Sequence, residues 1–258
     1  MNLRLSILKL RQSRLWSPIK YTCALLYSIG LIMLVVHVFN NNNDIIVPLG
    51  QVLIKNDILE TIVPDPHELL DFEAKVRPEL GLNGAGVSLP KEQSHADIQN
   101  QMKLHSFNKF VSDVISLKRS LPDVRHPDCK SIAYDKPANL PTATVILIFS
   151  NEALSAVLRT VWSCILTSPK EMLKEIVLVD DGSTSEEISK VLPIYIKHRL
   201  SGPGFPMIKL RVLPKQIGLV GARLAGAEWS TSEIIVFLDA HCEATPGTYC
   251  FFKKITIL

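Results

Sequence analysis

The stretch Ala143–Phe149, ATVILIF, is an unbroken run of apolar and β-branched side chains. A run of this length and composition predicts a β-strand that is buried on both of its faces. Three further strands are predicted along the chain, at residues 175–179, 207–213 and 234–238. Strands that are buried on both faces are typical of parallel sheets covered by helices.

Helical patterns separate these predicted strands. The first pattern places apolar residues at the offsets of one helix face, namely Leu154, Val157, Leu158, Val161 and Ile165. Ser183 with Glu186 fits an N-terminal capping box for a second helix, and a third helix is predicted over residues 220–229. The alternation of strands and helices predicts an α/β fold, with a parallel sheet that carries helices on its faces.

Polar residues follow three of the predicted strands: SNE after the first, DDGST after the second and DAHCE after the fourth. Ligands of parallel α/β sheets bind beyond the carboxyl ends of the strands, so these residues are candidates for a functional site. Asp180 and Asp181 allow two interpretations. Asp-Gly is a common turn sequence, and a carboxylate at this position could also accept hydrogen bonds from a ribose or a base.

Asp239 and His241 are the candidate metal ligands. If the chain stays extended through Ala240, the two side chains point to the same side. A carboxylate and an imidazole together suit Mn²⁺ and similar divalent ions, and they leave coordination positions for phosphate oxygens. The triplet is not specific by itself, but its place at the end of a buried strand favours the metal interpretation.

Two classes of ligand find no support in the sequence. The chain has 28 basic and 25 acidic residues and a formal net charge of +3, a balance too even for a dedicated nucleic-acid binder. Gly218, Gly221 and Gly226 do not have the G-x-G-x-x-G spacing of dinucleotide-binding folds, and close backbone packing explains them better. Arg223, between these glycines, could face a phosphate or solvent.

Residues 21–39, YTCALLYSIGLIMLVVHVF, carry no formal charge, and a helix of this length spans roughly the 30 Å hydrocarbon core of a bilayer. The basic residues ahead of them are Arg4, Lys9, Arg11, Arg14 and Lys20. Because positive charge is retained on the cytoplasmic side, we expect a cytoplasmic N-terminus and a lumenal or extracellular remainder. A cleaved signal peptide and a buried soluble helix are the alternatives, but the run is long for the first and lacks the polar face of the second.

Composition divides the rest of the chain. Residues 1–20 are the predicted cytoplasmic tail, and residues 40–97, with scattered prolines, glycines and charges, are predicted to be a tether-like stem. Residues 98–141 precede the α/β domain, and a short amphipathic helix with a proline turn accounts for them. Residues 142–249 form the predicted α/β domain, and residues 250–258 are an apolar tail.

Five motifs, in order and at matching separations, resemble those of the polypeptide N-acetylgalactosaminyltransferases, a family of Golgi enzymes. The motifs are SLKRSLPDVRHPDC, FSNEALSAVLRTVWS, EIVLVDDGS, IGLVGARLAGA and VFLDAHCE. The resemblance covers roughly residues 106–247. The predicted membrane anchor and stem agree with the family's single-pass type II layout.

The resemblance implies a GT-A fold with a glycosyltransferase-2-like catalytic domain. It implies the transfer of N-acetylgalactosamine from UDP-GalNAc to Ser or Thr of protein acceptors in the Golgi lumen. It also implies Mn²⁺ as cofactor, held on the donor diphosphate by Asp239 and His241. By the same resemblance, the donor-binding positions are Ile148, Asp181, Gln216 and Ala240.

The chain departs from the family pattern in two ways. Ser150 stands where the family has a histidine and Gln216 where it has an arginine, and both positions face the donor in the family. The residues after Gly247 do not resemble the family's continuation, which would carry a third metal ligand, most of the acceptor site and a partner for Cys129. We therefore expect an incomplete catalytic domain and no measurable transfer by this chain alone. A catalytically inactive membrane-anchored remnant and another GT-A nucleotide-sugar transferase are the alternatives.

Overall fold

The computed structural model describes residues 53–55, 66–88, 95–132 and 140–247. In these ranges, five strands form a single sheet in which every pair of neighbouring strands is parallel. The strands are β1 (Leu53–Lys55), β2 (Ala143–Phe149), β3 (Leu173–Asp180), β4 (Met207–Val212) and β5 (Ile234–Asp239). Their order across the sheet is β1-β4-β3-β2-β5, so β2 lies between β3 and β5.

Helices connect the strands and precede the sheet. They are α1 (Pro66–Lys75), α2 (His95–His105), α3 (Lys109–Val114), α4 (Pro127–Lys130), α5 (Leu154–Thr167), α6 (Leu192–Arg199) and α7 (Leu219–Glu228). A short 3₁₀ turn covers Leu82–Gly84, and a π-helical turn at Glu187–Val191 runs directly into α6. The α/β fold with a parallel sheet is confirmed, as are the four predicted strands.

The core lies on both faces of the sheet because side chains alternate along each strand. On one face, Leu147 and Leu178 are fully buried against α5, whose residues from Leu154 to Cys164 are all buried. On the other face, Ile146 and Val179 pack against α7 in a smaller cluster. Burial on both faces accounts for the apolar sequence of β2 and of residues 176–179 in β3.

Part of the predicted stem belongs to this core, which is a correction. Leu69 and Phe72, on α1, are buried in the larger cluster, and the ring of Phe72 meets the ring of Tyr195 edge-on at a centroid distance of 6.3 Å. Glu73 accepts hydrogen bonds from Arg199 on α6 at 2.7 and 2.8 Å. Apolar side chains three residues apart share one face of a helix, so Leu69 and Phe72 both face the core.

The predicted capping box at Ser183 is wrong. The helical segment that follows begins at Glu187 with Glu186 as its N-cap, and no side chain caps it. The Ser183 hydroxyl instead accepts a hydrogen bond from the backbone N–H of Asn151 at 2.8 Å. A serine hydroxyl can accept from backbone N–H groups in turns as well as at helix N-termini. Here it accepts from the N–H of Asn151 in the neighbouring turn and not from its own helix.

Residues 109–116 attach to α5 through a buried polar cluster. The Ser155 hydroxyl donates to Asp113 at 2.7 Å, and the guanidinium of Arg159 donates to the carbonyl oxygens of Ser112 and Ser116 at 2.6 and 3.3 Å. Burial lowers the pKa of Arg159 to about 10, so this side chain still carries its charge at neutral pH. The segment ahead of the domain is therefore part of its packing.

Two predicted segments, the membrane anchor at residues 21–39 and the tail at residues 250–258, lie outside the described residues. Among the helices that the structure does describe, none has the length and apolar composition needed to cross a membrane.

Two glycines of α7 give a matched test of helix–sheet packing. A Cβ on Gly226 would lie 2.5 Å from Cγ2 of Ile146, a buried side chain of β2. A Cβ on Gly221 would contact only the side chain of Ile217, at 3.0 Å, and that side chain is half exposed. We expect Gly226→Ala to lower the free energy of unfolding by about 1–2 kcal/mol, because overpacking outweighs the better helix propensity of alanine.

Gly221→Ala is the control for this prediction. It also gains helix propensity, and its close contact is only with the half-exposed side chain of Ile217, which can shift, so we expect no loss of stability and a gain of up to about 1 kcal/mol. Urea denaturation of both variants measures the difference. Equal effects of the two substitutions would contradict the close approach of α7 to the sheet.

Candidate functional site

Turns that are distant in sequence meet at the carboxyl edge of the sheet. Because β2 pairs with β5 and with β3, Ile148 lies beside Asp239 in the register, and Phe149 lies beside Asp180. Ile148, predicted to bind the donor, is half-buried next to the predicted metal ligand. The residues that follow β2, β3, β4 and β5 therefore line one edge, as expected for a ligand site of a parallel sheet.

The metal candidates lie in a tight turn at the end of β5, which corrects the prediction of an extended chain. The backbone N–H of Cys242 donates to the carbonyl oxygen of Asp239 at 3.1 Å, so the chain reverses at Ala240 and His241. Ligand atoms of Asp239, His241 and Cys242 all lie within 4.8 Å of one another. The turn thus brings together the two predicted ligands and adds a thiol that the sequence analysis did not include.

The donor atoms of this cluster fit a cation such as Mn²⁺. Burial, with the nearby charge of Asp239, raises the pKa of the Cys242 thiol. Mn²⁺ prefers oxygen and nitrogen ligands to sulfur. The carboxylate of Asp239 and the imidazole of His241, both exposed, remain as the oxygen and nitrogen donors that Mn²⁺ accepts.

The backbone of this turn is attached to α5. The Thr160 hydroxyl donates to the carbonyl oxygen of Ala240 at 2.9 Å, and the N–H of Ala244 donates to the Ser163 hydroxyl at 2.8 Å. Ala240, predicted to bind the donor, is buried, and its side chain belongs to the larger core cluster. The turn between Asp239 and Ala244 therefore has little freedom to move relative to the sheet.

An ion pair fixes the same turn from outside the domain. The Arg119 Nε donates to both carboxylate oxygens of Glu243, at 3.1 and 2.8 Å, and its Nη2 contacts one of them. Both side chains are largely buried, which makes this bidentate pair stronger than an exposed one. A cleft of about 710 Å³ lies beside it, lined by Phe107, Arg119, Arg159 and His241 among others.

Asp181 holds the turn that follows β4. Its carboxylate accepts hydrogen bonds from the backbone N–H groups of Ile217 and Gly218, at 2.7 and 3.0 Å, and the residue is only 3% exposed. Gly182 has a φ of +68°, and a Cβ there would overlap the backbone nitrogen of Gln216. The turns after β3 and β4 therefore lie against each other, and they present the side chain of Gln216 to solvent.

Asp180 belongs to the same arrangement. Its carboxylate accepts a hydrogen bond from the N–H of Ser183 at 2.8 Å, and burial raises its pKa. Both aspartates of the DDGST motif thus bind backbone donors in turns, as the turn interpretation expects. This does not test the donor-binding role of Asp181, which stays a prediction.

The turn after β2 is tied to the turn after β3. Asn151 has a φ of +53°, and its side-chain oxygen accepts hydrogen bonds from the N–H groups of Thr184 and Ser185 at 2.8 and 3.1 Å. The Oε2 atom of the next residue, Glu152, lies 3.0 Å from Nδ1 of His241. The SNE motif therefore joins two neighbouring turns of the site.

The structure places the predicted site residues in two groups. Ile148, Asp239, Ala240 and His241 lie together where β2 and β5 end, and Asp181 and Gln216 lie where β3 and β4 end. Glu152 and Cys242 are the site residues that sequence reasoning missed. Both stand in motifs that follow predicted strands, and this position indicates the ligand-binding edge of the sheet. Their side-chain contacts are with residues distant in sequence, which sequence patterns do not predict.

Comparison with known proteins is consistent with this geometry. Residues 144–250 match the family model described as Glycosyl transferase family 2. The chain is 44% identical over 179 residues to N-acetylgalactosaminyltransferase 6 of Drosophila melanogaster, an alignment that covers 69% of this chain and 26% of the relative. It is 33% identical over 255 residues to Probable N-acetylgalactosaminyltransferase 7 of Caenorhabditis elegans, which covers 91% of this chain and 41% of the relative.

A solved structure shows the same fold. The crystal structure of GalNAc-T7 with UDP, GalNAc and Mn²⁺ superposes with a TM-score of 0.61 at 35% identity, over 69% of this chain and 34% of that chain. The chain therefore spans between about a quarter and two fifths of the length of these relatives. By sequence and by fold, this part of the chain is similar to the polypeptide N-acetylgalactosaminyltransferases, and residues 144–250 match glycosyltransferase family 2.

Proposed function

We propose that the described residues form the donor- and metal-binding part of an N-acetylgalactosaminyltransferase, which transfers N-acetylgalactosamine from UDP-GalNAc to Ser or Thr of proteins. The observation that carries the proposal is the pairing of Asp239 and His241 in one rigid turn at the carboxyl edge of a parallel sheet. The relatives named for this transfer, and the related structure with UDP, GalNAc and Mn²⁺, support the choice of donor.

The carboxylate of Asp239 and the imidazole of His241 would hold the Mn²⁺ ion. When bound, such an ion neutralises negative charge on the leaving diphosphate of the donor. The chain's own contribution is to keep both ligands in place before the donor arrives. Thr160 and Ser163 do this through the backbone of the turn, and Arg119 does it through Glu243.

The uridine side of the donor would lie along the turns after β3 and β4. Asp181 and Gly182 shape these turns, and Gln216 projects from them into solvent. Arg223, on the β5 side of the edge, supports the binding of an anion. Its buried Nε has no hydrogen-bond partner among the described residues, and its guanidinium lies 5.6 Å from the ring centroid of Phe237, on β5.

The proposal includes a GT-A fold and a single-pass type II position in the Golgi membrane, with the described residues in the lumen. The uncharged run at residues 21–39, and the basic residues ahead of it, support the anchor. We expect a tag on the N-terminus to be digested, and a tag on the C-terminus to be protected, when sealed microsomes that contain the chain are treated with protease. Protection of both tags would contradict an anchor.

The donor site predicts UDP binding that depends on Mn²⁺. We expect the full chain, purified in mild detergent, to bind UDP in the presence of Mn²⁺. Because each substitution removes one metal ligand, we expect Asp239→Asn or His241→Ala to weaken this binding by about 100-fold or more. Calorimetric titration measures it. Asp71→Asn, an exposed carboxylate on α1, is the control and should bind as the unchanged chain does.

UDP binding that is unaffected by Asp239→Asn, or that needs no divalent cation, would contradict the proposed site. A transfer assay with labelled UDP-GalNAc and a Ser/Thr peptide, under the same conditions, checks the expectation that this chain alone shows no measurable transfer.

Asp181→Asn tests the turn that carries the uridine side. The amide keeps one acceptor oxygen but turns its NH₂ toward a backbone N–H, so we expect a loss of about 1–3 kcal/mol in the free energy of unfolding together with weaker UDP binding. Denaturation and calorimetric titration measure the two effects. Weaker UDP binding at unchanged stability would show that Asp181 contacts the donor without holding the turn.

A further inference from the structure

Glu152 contacts the side chain of a predicted metal ligand and has no assigned role. Its Oε2 lies 3.0 Å from Nδ1 of His241. The Glu152 side chain is 18% exposed, whereas the His241 side chain is 57% exposed. The imidazole is therefore mostly in solvent, and Glu152 contacts it from the interior side of the site.

We propose that Glu152 is the positioning residue for the metal-binding imidazole. The Nδ1–H of His241 donates to the Glu152 carboxylate, and Nε2 then carries the lone pair that a divalent cation requires. This inference rests on the proposed function, because it concerns the same metal site.

Glu152 is rigidly held. Its other carboxylate oxygen, Oε1, accepts a hydrogen bond from the backbone N–H of Ala153 at 3.1 Å, and Ala153 is buried at the start of α5. On the other side, Asn151 is bound through its N–H to Ser183 and through its side chain to Thr184. Both neighbours of Glu152 are thus attached to the core or to the next turn, and the carboxylate has a defined position.

The ring of His241 depends on this carboxylate. The backbone on both sides of His241 is held by Thr160 and Ser163, but these bonds leave the side-chain torsions free. In the part of the chain that the structure describes, no other hydrogen-bond partner contacts the ring. Without Glu152, an exposed imidazole would populate several rotamers and both neutral tautomers.

A carboxylate in this position acts on metal affinity in three ways. It selects the tautomer, it reduces the freedom that the ring loses when a cation binds, and it makes the coordinating nitrogen more basic. Removal of such a partner typically costs 10–100-fold in metal affinity. A simple surface ion pair would instead contribute a small amount of stability and nothing to metal binding.

The first experiment measures Mn²⁺ binding without nucleotide, by titration followed by electron paramagnetic resonance. We expect Glu152→Ala in the full chain to bind Mn²⁺ about 10–100-fold more weakly than the unchanged chain. Glu152→Gln keeps an acceptor oxygen but loses the charge, so its affinity should lie between the two. Glu233→Gln is the matched control, because Glu233 also accepts a backbone N–H, from Thr142, at the opposite end of β5.

The second experiment is independent of metal and donor. In the metal-free chain with ¹⁵N-labelled histidine, we expect the His241 ring to be protonated at Nδ1. We expect Glu152→Gln to keep this tautomer and Glu152→Ala to lose it. Thermal unfolding of each variant shows that the fold is retained.

Three outcomes would overturn the inference. If the unchanged chain binds Mn²⁺ and Glu152→Ala binds it equally well, the inference fails and the proposed function stands. An unchanged ring spectrum in Glu152→Ala would also overturn it. If the unchanged chain binds Mn²⁺ neither alone nor together with UDP, the proposed function itself fails, and the positioning role of Glu152 fails with it.

Discussion

Parallel pairing of β2 with β5 on one side and with β3 on the other is the constraint on which the site depends. Strands that run in the same direction end at the same edge, so chain segments about 30 to 90 residues apart become neighbours there. The pairing is maintained by the burial of both sheet faces, under α5 and under α7. A change that separated α7 from the sheet would therefore disturb the site without contact with any ligand.

The turns at this edge hold one another in place through side-chain hydrogen bonds. Glu152 joins the turn after β5 to the turn after β2, Asn151 joins the latter to the turn after β3, and Asp181 joins that turn to the one after β4. Two of these side chains, Asn151 and Asp181, thus accept hydrogen bonds from backbone N–H groups of adjacent turns. A site built in this way is ordered before a ligand binds, so less conformational entropy is lost on binding.

The sequence predicted the fold through burial and the site only through position. Runs of mainly apolar residues identified β2 to β5, whereas β1, with three residues, is too short to show such a pattern. Predictions from local sequence patterns failed where a side chain or turn made contacts with a distant part of the chain. Ser183 bound the turn after β2 instead of its own helix, and Asp239 was followed by a reversal that added Cys242. Periodicity and motif spacing contain no information about such contacts between distant turns.

The departure from the family at Gln216 changes charge more than shape. The backbone of this residue is positioned by the Asp181 carboxylate and by the close approach of Gly182, and neither depends on which side chain stands at this position. A glutamine there leaves the turn in place and removes one positive charge from the rim. Attraction between unit charges falls with distance and with solvent screening, so the loss at an exposed position is modest. The turn that carries Asp239 and His241 is attached separately, through α5 and Arg119. The positions of these two residues therefore do not depend on which side chain stands at position 216.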